Sequence, residues 1–266
     1  MIWINNTIRE DDESFLPFSE TLLYAHGCFT TGRFENGHLL FMPQHLDRLQ
    51  TTCAYMGIPY PEYSIPTAIR ELCAVNGLTS ARIKIIVLEK EPVGDVVITA
   101  SELPAPRSSV TITMSDIQRE DEELCRYKTC DHMTNLLSLE QARQKGFNDI
   151  LFTDRQNTLL ETAIANIYFI SGNSIITPPD SLPILNGIVR KELLLHGEFG
   201  IYTVTEKIID IKDIPTYEGA FITNALRLIE PVSQIDDIHF NTAPSSDLYS
   251  AVLDHLYRAA REHEGE

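Results

Sequence analysis

The chain has 266 residues, 43% hydrophobic and 22% charged, close to a globular average and unlike a disordered or fibrous chain. Its 21 Lys and Arg stand against 38 Asp and Glu, and the formal net charge of −17 opposes general binding to a nucleic-acid backbone. No apolar run reaches the roughly 18 residues that span a bilayer, and residues 1–6 lack the basic and apolar segments of a signal peptide, so a soluble cytoplasmic protein with no membrane partner is expected. The acidic balance leaves room for a small anionic ligand in a local basic pocket.

Cys28, Cys53, Cys73, Cys125 and Cys130 are widely spaced, odd in number and form no CxxC pair. Neither a metal site nor a disulfide framework is expected, and reduced thiols are.

In chain order, residues 2–4 read as a short strand. Residues 29–34 and 38–41 read as a hairpin around Glu35-Asn36-Gly37, which carries the Asn-Gly turn signal. A helix is predicted over 43–56, with Pro43 in its first turn, Leu46, Leu49, Cys53 and Met56 at helical spacing, and Gly57 as a stop. A second helix is predicted over 66–75, followed by strands over 83–88, 96–100 and 110–114. Residues 116–124 are polar and acidic and read as an interdomain connection. Beyond it the pattern gives a helix over 134–145, strands over 149–153 and 158–161, and a hairpin of 166–170 with 174–177. A helix over 187–196, strands over 201–207 and 221–223, and a closing helix over 245–262 complete the chain. The expected architecture is mixed α/β (α+β-like) in two lobes, residues 1–118 and 119–266, without regular βαβ alternation and without a GxGxxG or GxxxxGK[ST] loop.

Four local features bear on chemistry. His45 and Arg48 are three apart on a predicted helix and so share a face, where the arginine fork suits a phosphate or carboxylate. Lys128 lies at a predicted strand–helix junction among small and apolar residues, and burial there frees an amine to act as nucleophile or base. Glu161 is a lone carboxylate between an apolar strand and small residues, where it needs a cationic or hydrogen-bonding partner. Leu185-Asn186-Gly187-Ile188-Val189-Arg190 opens a helix with glycine, and Phe221-Ile222-Thr223-Asn224-Ala225-Leu226 ends a strand in small polar residues; backbone N–H groups at such places cradle anions. Each feature also has an ordinary reading: a surface ion pair with Asp47, a snorkelling lysine, an edge-strand glutamate facing water, a plain helix start and a plain turn.

Together, an arginine, a lysine, a glutamate and a helix N-terminus in that order resemble the fold-type IV pyridoxal-phosphate enzymes, the class IV aminotransferase family with its D-amino-acid-aminotransferase-like fold. The resemblance runs from Ile2-Trp3-Ile4-Asn5 to Glu230-Pro231-Val232. Two loops, Gly27-Cys28-Phe29-Thr30-Thr31-Gly32-Arg33 and Thr223-Asn224-Ala225-Leu226, look like the 4-amino-4-deoxychorismate lyase branch. That branch releases 4-aminobenzoate and pyruvate in folate biosynthesis. The alternative branches are aminotransferases of branched-chain or D-amino acids working with 2-oxoglutarate. Cys130-Asp131-His132 after the lysine, His26 before the first glycine, and Val189 in place of threonine depart from the family pattern.

The resemblance implies pyridoxal 5′-phosphate as cofactor, with Lys128 as its covalent attachment and the catalytic acid–base. Glu161 is implied as partner of the pyridine nitrogen. Arg48, the backbone of Ile188 and Val189, and the Asn224-Ala225 turn are implied for the phosphate, and Thr30, Thr31 and Asn224 as substrate contacts. It further implies a small-molecule substrate and a homodimer, with no metal ion.

Overall fold

In a computed structural model, residues 1–10, 23–120, 123–242 and 246–262 are described. They form two compact units. The first comprises the described part of Met1–Ala105, the short segment Tyr127–Asp131 and the end of the last helix from Ala260; the second comprises Pro106–Arg126 and His132–Ala259.

The first unit contains β1 (Ile2–Ile4), β2 (Thr7–Arg9), β3 (Gly27–Glu35), β4 (His38–Leu39), α1 (Met42–Met56), α2 (Ile65–Val75), β5 (Ser80–Leu88) and β6 (Asp95–Ser101). Its six strands form one antiparallel sheet in the order β2-β1-β6-β5-β3-β4. Asn36 and Gly37 turn the β3–β4 hairpin with φ of 53° and 88°, the left-handed conformation the Asn-Gly pair favours. Gly57, at φ 70°, ends α1 where no side chain hinders the reversal. Strand side chains alternate between faces. Cys28 and Phe34 of β3, with Ile83, Ile85 and Val87 of β5, therefore face the core, against Leu49 and Cys53 of α1 and Ile69 and Leu72 of α2. The opposite sheet face carries Phe29, Thr31 and Arg33, paired with Ile86, Lys84 and Arg82.

Lys128 does not follow the expected lobe boundary. Residues 127–131 join the first unit, because Phe29 N–H donates to Lys128 O at 2.9 Å and Cys130 N–H donates to Gly27 O at 2.8 Å. Thr129 is thus bridged to Cys28, and Tyr127 stacks on Tyr55 with ring centroids 3.9 Å apart.

The second unit contains β7 (Val110–Gln118), α3 (Met133–Gln144), β8 (Asp149–Thr153), β9 (Leu159–Thr162), β10 (Asn166–Ser171), β11 (Ser174–Thr177), α4 (Ile188–His196), β12 (Glu198–Phe199), β13 (Tyr202–Glu206), β14 (Gly219–Asn224), β15 (Leu228–Ile235), β16 (Ile238–His239) and α5 (Ser246–Glu262). Nine strands run in the order β12-β13-β11-β10-β14-β15-β7-β8-β9, and β16 pairs with β15. The acidic stretch differs from its expected role. β7 extends to Gln118 and pairs in parallel with β15 and β8, so residues 116–118 end a sheet strand rather than forming an interdomain connection. The chain passes between units at Ala105–Pro106, where two prolines flank one residue. Val110, Ile112, Ile167, Phe169, Ile222 and Val232 fill one core of this unit; Leu139, Ala142, Ile150, Phe152 and Leu160 fill another under α3. Among the described residues no helix is long and apolar enough to cross a membrane, and no group of three or more His, Cys, Asp or Glu is placed to hold a metal.

Candidate active site

In the first unit the chemistry-bearing residues gather on the outer face of β3 and β5 and on α1. Lys128 is half-buried, its Nζ 4.7 Å from the centroid of the Phe29 ring. Lys84 reaches the same ring, its Nζ 4.4 Å from that centroid. Burial lowers the Lys84 pKa; the Cys130 thiol opposes the shift and Arg82 adds to it. Three cations, Arg82, Lys84 and Lys128, therefore belong to this one neighbourhood of a strongly acidic chain, and Arg33 beside them is paired with Glu35.

Arg48 is half-buried on α1, and its helix-face neighbour His45 is fully buried. His45 Nδ1 is hydrogen-bonded to Thr30 Oγ1 at 2.6 Å. Burial pushes the His45 pKa down to about 3, with the Arg48 and Lys128 charges adding to the shift, so the ring is neutral at pH 7. A Cβ on Gly32 would stand 2.5 Å from His45 Nε2, so only glycine lets the ring pack against β3. Thr30 is wholly buried on the core face as a brace for His45, and Thr31 is the threonine of the pair that points to the Lys84 face. Strand alternation separates two adjacent residues that their shared loop groups together.

In the second unit, Glu161 on β9 is 7% exposed. Its Oε1 accepts from Arg119 Nη1 at 2.8 Å, and its Oε2 accepts from Asn166 Nδ2 at 3.3 Å and Leu185 N–H at 3.2 Å. Asn166 Nδ2 also donates to Leu185 O at 2.8 Å, tying β10 to the approach of α4. Gly187 is the N-cap of α4 and no side chain caps that helix; a Cβ there would lie 2.1 Å from Asn166 Oδ1. Ile188 and Val189 bury their side chains and leave the first helical turn to backbone chemistry. Thr223, cross-strand partner of Asn166, is buried, and its side chain interacts with the Tyr168 hydroxyl. Asn224 Oδ1 accepts from the N–H groups of Leu226 and Arg227, which shapes the turn that holds the buried Ala225.

Asp149 braces this region from beneath. It is 1% exposed, and its Oδ1 accepts from Ile150 N–H and from Ala163 N–H, two residues past Glu161. Burial pushes its pKa up to about 7, hydrogen bonds from Ile150, Thr162 and Ala163 oppose the rise, and Glu230 adds to it. The folded state therefore favours the protonated acid. Its stabilising contribution is complete below the unfolded value near pH 4 and is lost as pH rises through about 7. Asp149→Asn, which keeps the accepting oxygen, is expected to flatten the fall in thermal midpoint between pH 5 and 8. A slope equal to the parent's would show that Asp149 does not titrate there.

Arg119, Asn166, Lys84 and His45 complete these clusters. In the sequence Arg119 falls inside the acidic connection, where neighbouring Glu and Asp mask it. A signal does exist: a single Arg closing the pattern of β7.

Comparison with known proteins adds the family context. The family model described as amino-transferase class IV matches residues 27–235. The aminodeoxychorismate lyase of Bacillus subtilis is 20% identical over 97% of this chain and 94% of its own. The D-alanine aminotransferase of Listeria monocytogenes is 22% identical over 89% of this chain and 88% of its own. A hypothetical aminotransferase from Mycobacterium tuberculosis, solved in a PLP-bound form, superposes with a TM-score of 0.85 at 18% identity, covering 96% of this chain and 98% of that one.

Proposed function

Because the chain belongs to the class IV aminotransferases, a family of pyridoxal-phosphate-dependent enzymes, we propose that it is a 4-amino-4-deoxychorismate lyase, forming 4-aminobenzoate and pyruvate for folate biosynthesis in the cytoplasm. The observation that carries this reading is the cationic sheet face beside Lys128. Arg82 and Lys84 sit there with Thr31 and with Arg33, which is paired with Glu35, in a chain of net charge −17. The proposed substrate bears two carboxylates, and such a face attracts and orients it. The Phe29-Thr30-Thr31 and Thr223-Asn224-Ala225 loops support the lyase branch over the aminotransferases.

The residues present fit the cofactor. An uncapped helix N-terminus and a glycine with no room for a Cβ form a cradle suited to a phosphate. In the second unit the backbone of Ile188 and Val189 and the Asn224-Ala225 turn would hold the phosphate, which would position the ring. Pyridoxal phosphate, when bound, supplies an aldehyde for covalent attachment and a ring that accepts electron density. Lys128 would provide the attaching amine and would then move the proton at the substrate carbon that bears nitrogen. Glu161, held by Arg119, Asn166 and Leu185, would accept a hydrogen bond from the pyridine nitrogen and keep its proton in place. On the first unit Thr31 is proposed as a substrate contact beside Lys84, its cross-strand partner. Phe29 sets the approach of both amines through its ring.

Purified protein loaded with pyridoxal phosphate is expected to form 4-aminobenzoate and pyruvate from 4-amino-4-deoxychorismate without any amino acceptor. Turnover that requires 2-oxoglutarate and yields glutamate would instead establish transamination, the reading favoured by the aminotransferases among its relatives. Homodimerisation is proposed too: Met133, Leu136 and Leu137 of α3 are 60%, 54% and 56% exposed, an apolar face of the kind that self-association covers.

A further inference from the structure

We propose that Arg119 is a positioning residue that acts through Glu161: it fixes the carboxylate's orientation and sets how tightly that carboxylate retains a proton shared with a heterocyclic nitrogen. This inference rests on the cofactor reading above and concerns a residue outside its binding set. Three contacts anchor Arg119. Its backbone N–H donates to Thr153 O at 2.8 Å, continuing the β7–β8 pairing past the end of β7. Its guanidinium carbon lies 3.9 Å from the centroid of the Phe152 ring. Its Nη1 meets Glu161 Oε1 at 2.8 Å, with both side chains 9% exposed. A planar guanidinium held on an aromatic face has little freedom left, so the ion pair is made at small entropic cost.

The carboxylate is fixed from the other side as well. Asn166 Nδ2 and Leu185 N–H hold Oε2, so donors on both oxygens prevent the group from rotating. A positive charge at hydrogen-bond distance in a water-poor setting favours the ionised carboxylate. It thereby weakens the hold of Glu161 on any proton it shares. Loss of that charge makes Glu161 more basic, and the shared proton is then kept to higher pH.

Other charged groups nearby are accounted for. Glu120, Asp154 and Arg155 line a cleft together with Arg119, and Glu120 and Arg155 pair with each other. Asp149, on the adjoining β8, is the same in every variant compared.

The test uses full-length protein loaded with pyridoxal phosphate and follows the visible absorbance of the bound cofactor against pH. Arg119→Gln, which keeps a donor and removes the charge, is expected to raise the pH midpoint by roughly half a unit or more. Arg119→Lys is expected to restore most of the parent value. In a Glu161→Gln background, adding Arg119→Gln is expected to leave the spectrum unchanged; this double variant also removes the stranded buried carboxylate, so it serves if the single variant fails to fold. An Arg119→Gln profile that superimposes on the parent while thermal stability alone falls would overturn the positioning role. A spectral difference between Glu161→Gln and the double variant would overturn it too, because Arg119 would then act without Glu161. Parent protein that takes up no cofactor chromophore would overturn the cofactor reading and this inference together, a result distinguishable from either of the others.

Discussion

Lys128→Ala is expected to lower turnover by at least about 10³-fold and to abolish the visible absorbance that appears when the parent is mixed with pyridoxal phosphate. The size of the effect follows from the two tasks proposed for one amine, attachment and proton transfer. Lys84 shares the Phe29 ring, yet it projects from β5, whereas Lys128 is held on β3 by the Phe29 and Cys130 backbone hydrogen bonds. Lys128 is half-buried, so its truncation leaves the sheet intact, and circular dichroism should match the parent. Steady-state rates with 4-amino-4-deoxychorismate, read beside absorption spectra, check the prediction. A variant that retains full activity would remove Lys128 from the mechanism.

Glu161→Ala carries the second large effect, and on two readouts. Removing the carboxylate strands Arg119, 9% exposed, without the partner it meets at 2.8 Å. Breaking a buried pair from one side costs on the order of 3–5 kcal/mol. The apo-protein should therefore unfold at markedly lower denaturant concentration. Turnover should also fall, by roughly 10²-fold or more, because the ring then lacks the acceptor that keeps its nitrogen protonated. Glu161→Gln separates the two effects. It keeps the shape and an oxygen for Arg119 but not the charge, so part of the stability should return while the rate stays low. Equal rates in parent and both variants would mean that another residue faces the pyridine nitrogen.

The hairpins and helices are legible in the sequence because each carries local punctuation. Asn36-Gly37 turns β3 into β4, Pro43 and Gly57 bracket α1, and Gly187 precedes α4. The pairing of β7 is not legible, because its apolar residues fit either sheet and only long-range contact with β8 and β15 decides between them. For the same reason a boundary drawn from sequence puts the segment around Lys128 in the wrong lobe: two backbone hydrogen bonds to β3, about a hundred residues earlier in the chain, hold it in the first unit. At the site, Glu161 stands out as an acid in an apolar setting that demands a partner, and the structure supplies one in Arg119. The partner itself is hidden, since an arginine within an acidic run reads as surface charge. Thr30 and Thr31 cannot be told apart without knowing which face of β3 meets α1. Once His45 is seen bonded to Thr30, strand alternation assigns Thr31 to the opposite face.

The most direct measurement is to load the protein with pyridoxal phosphate, reduce it with borohydride, digest it and locate the phosphopyridoxyl group by mass spectrometry. One modified peptide is expected, with the added mass on Lys128. Modification of Lys84 or of any other lysine instead, or protein that remains unmodified, would show that Lys128 is not the attachment site.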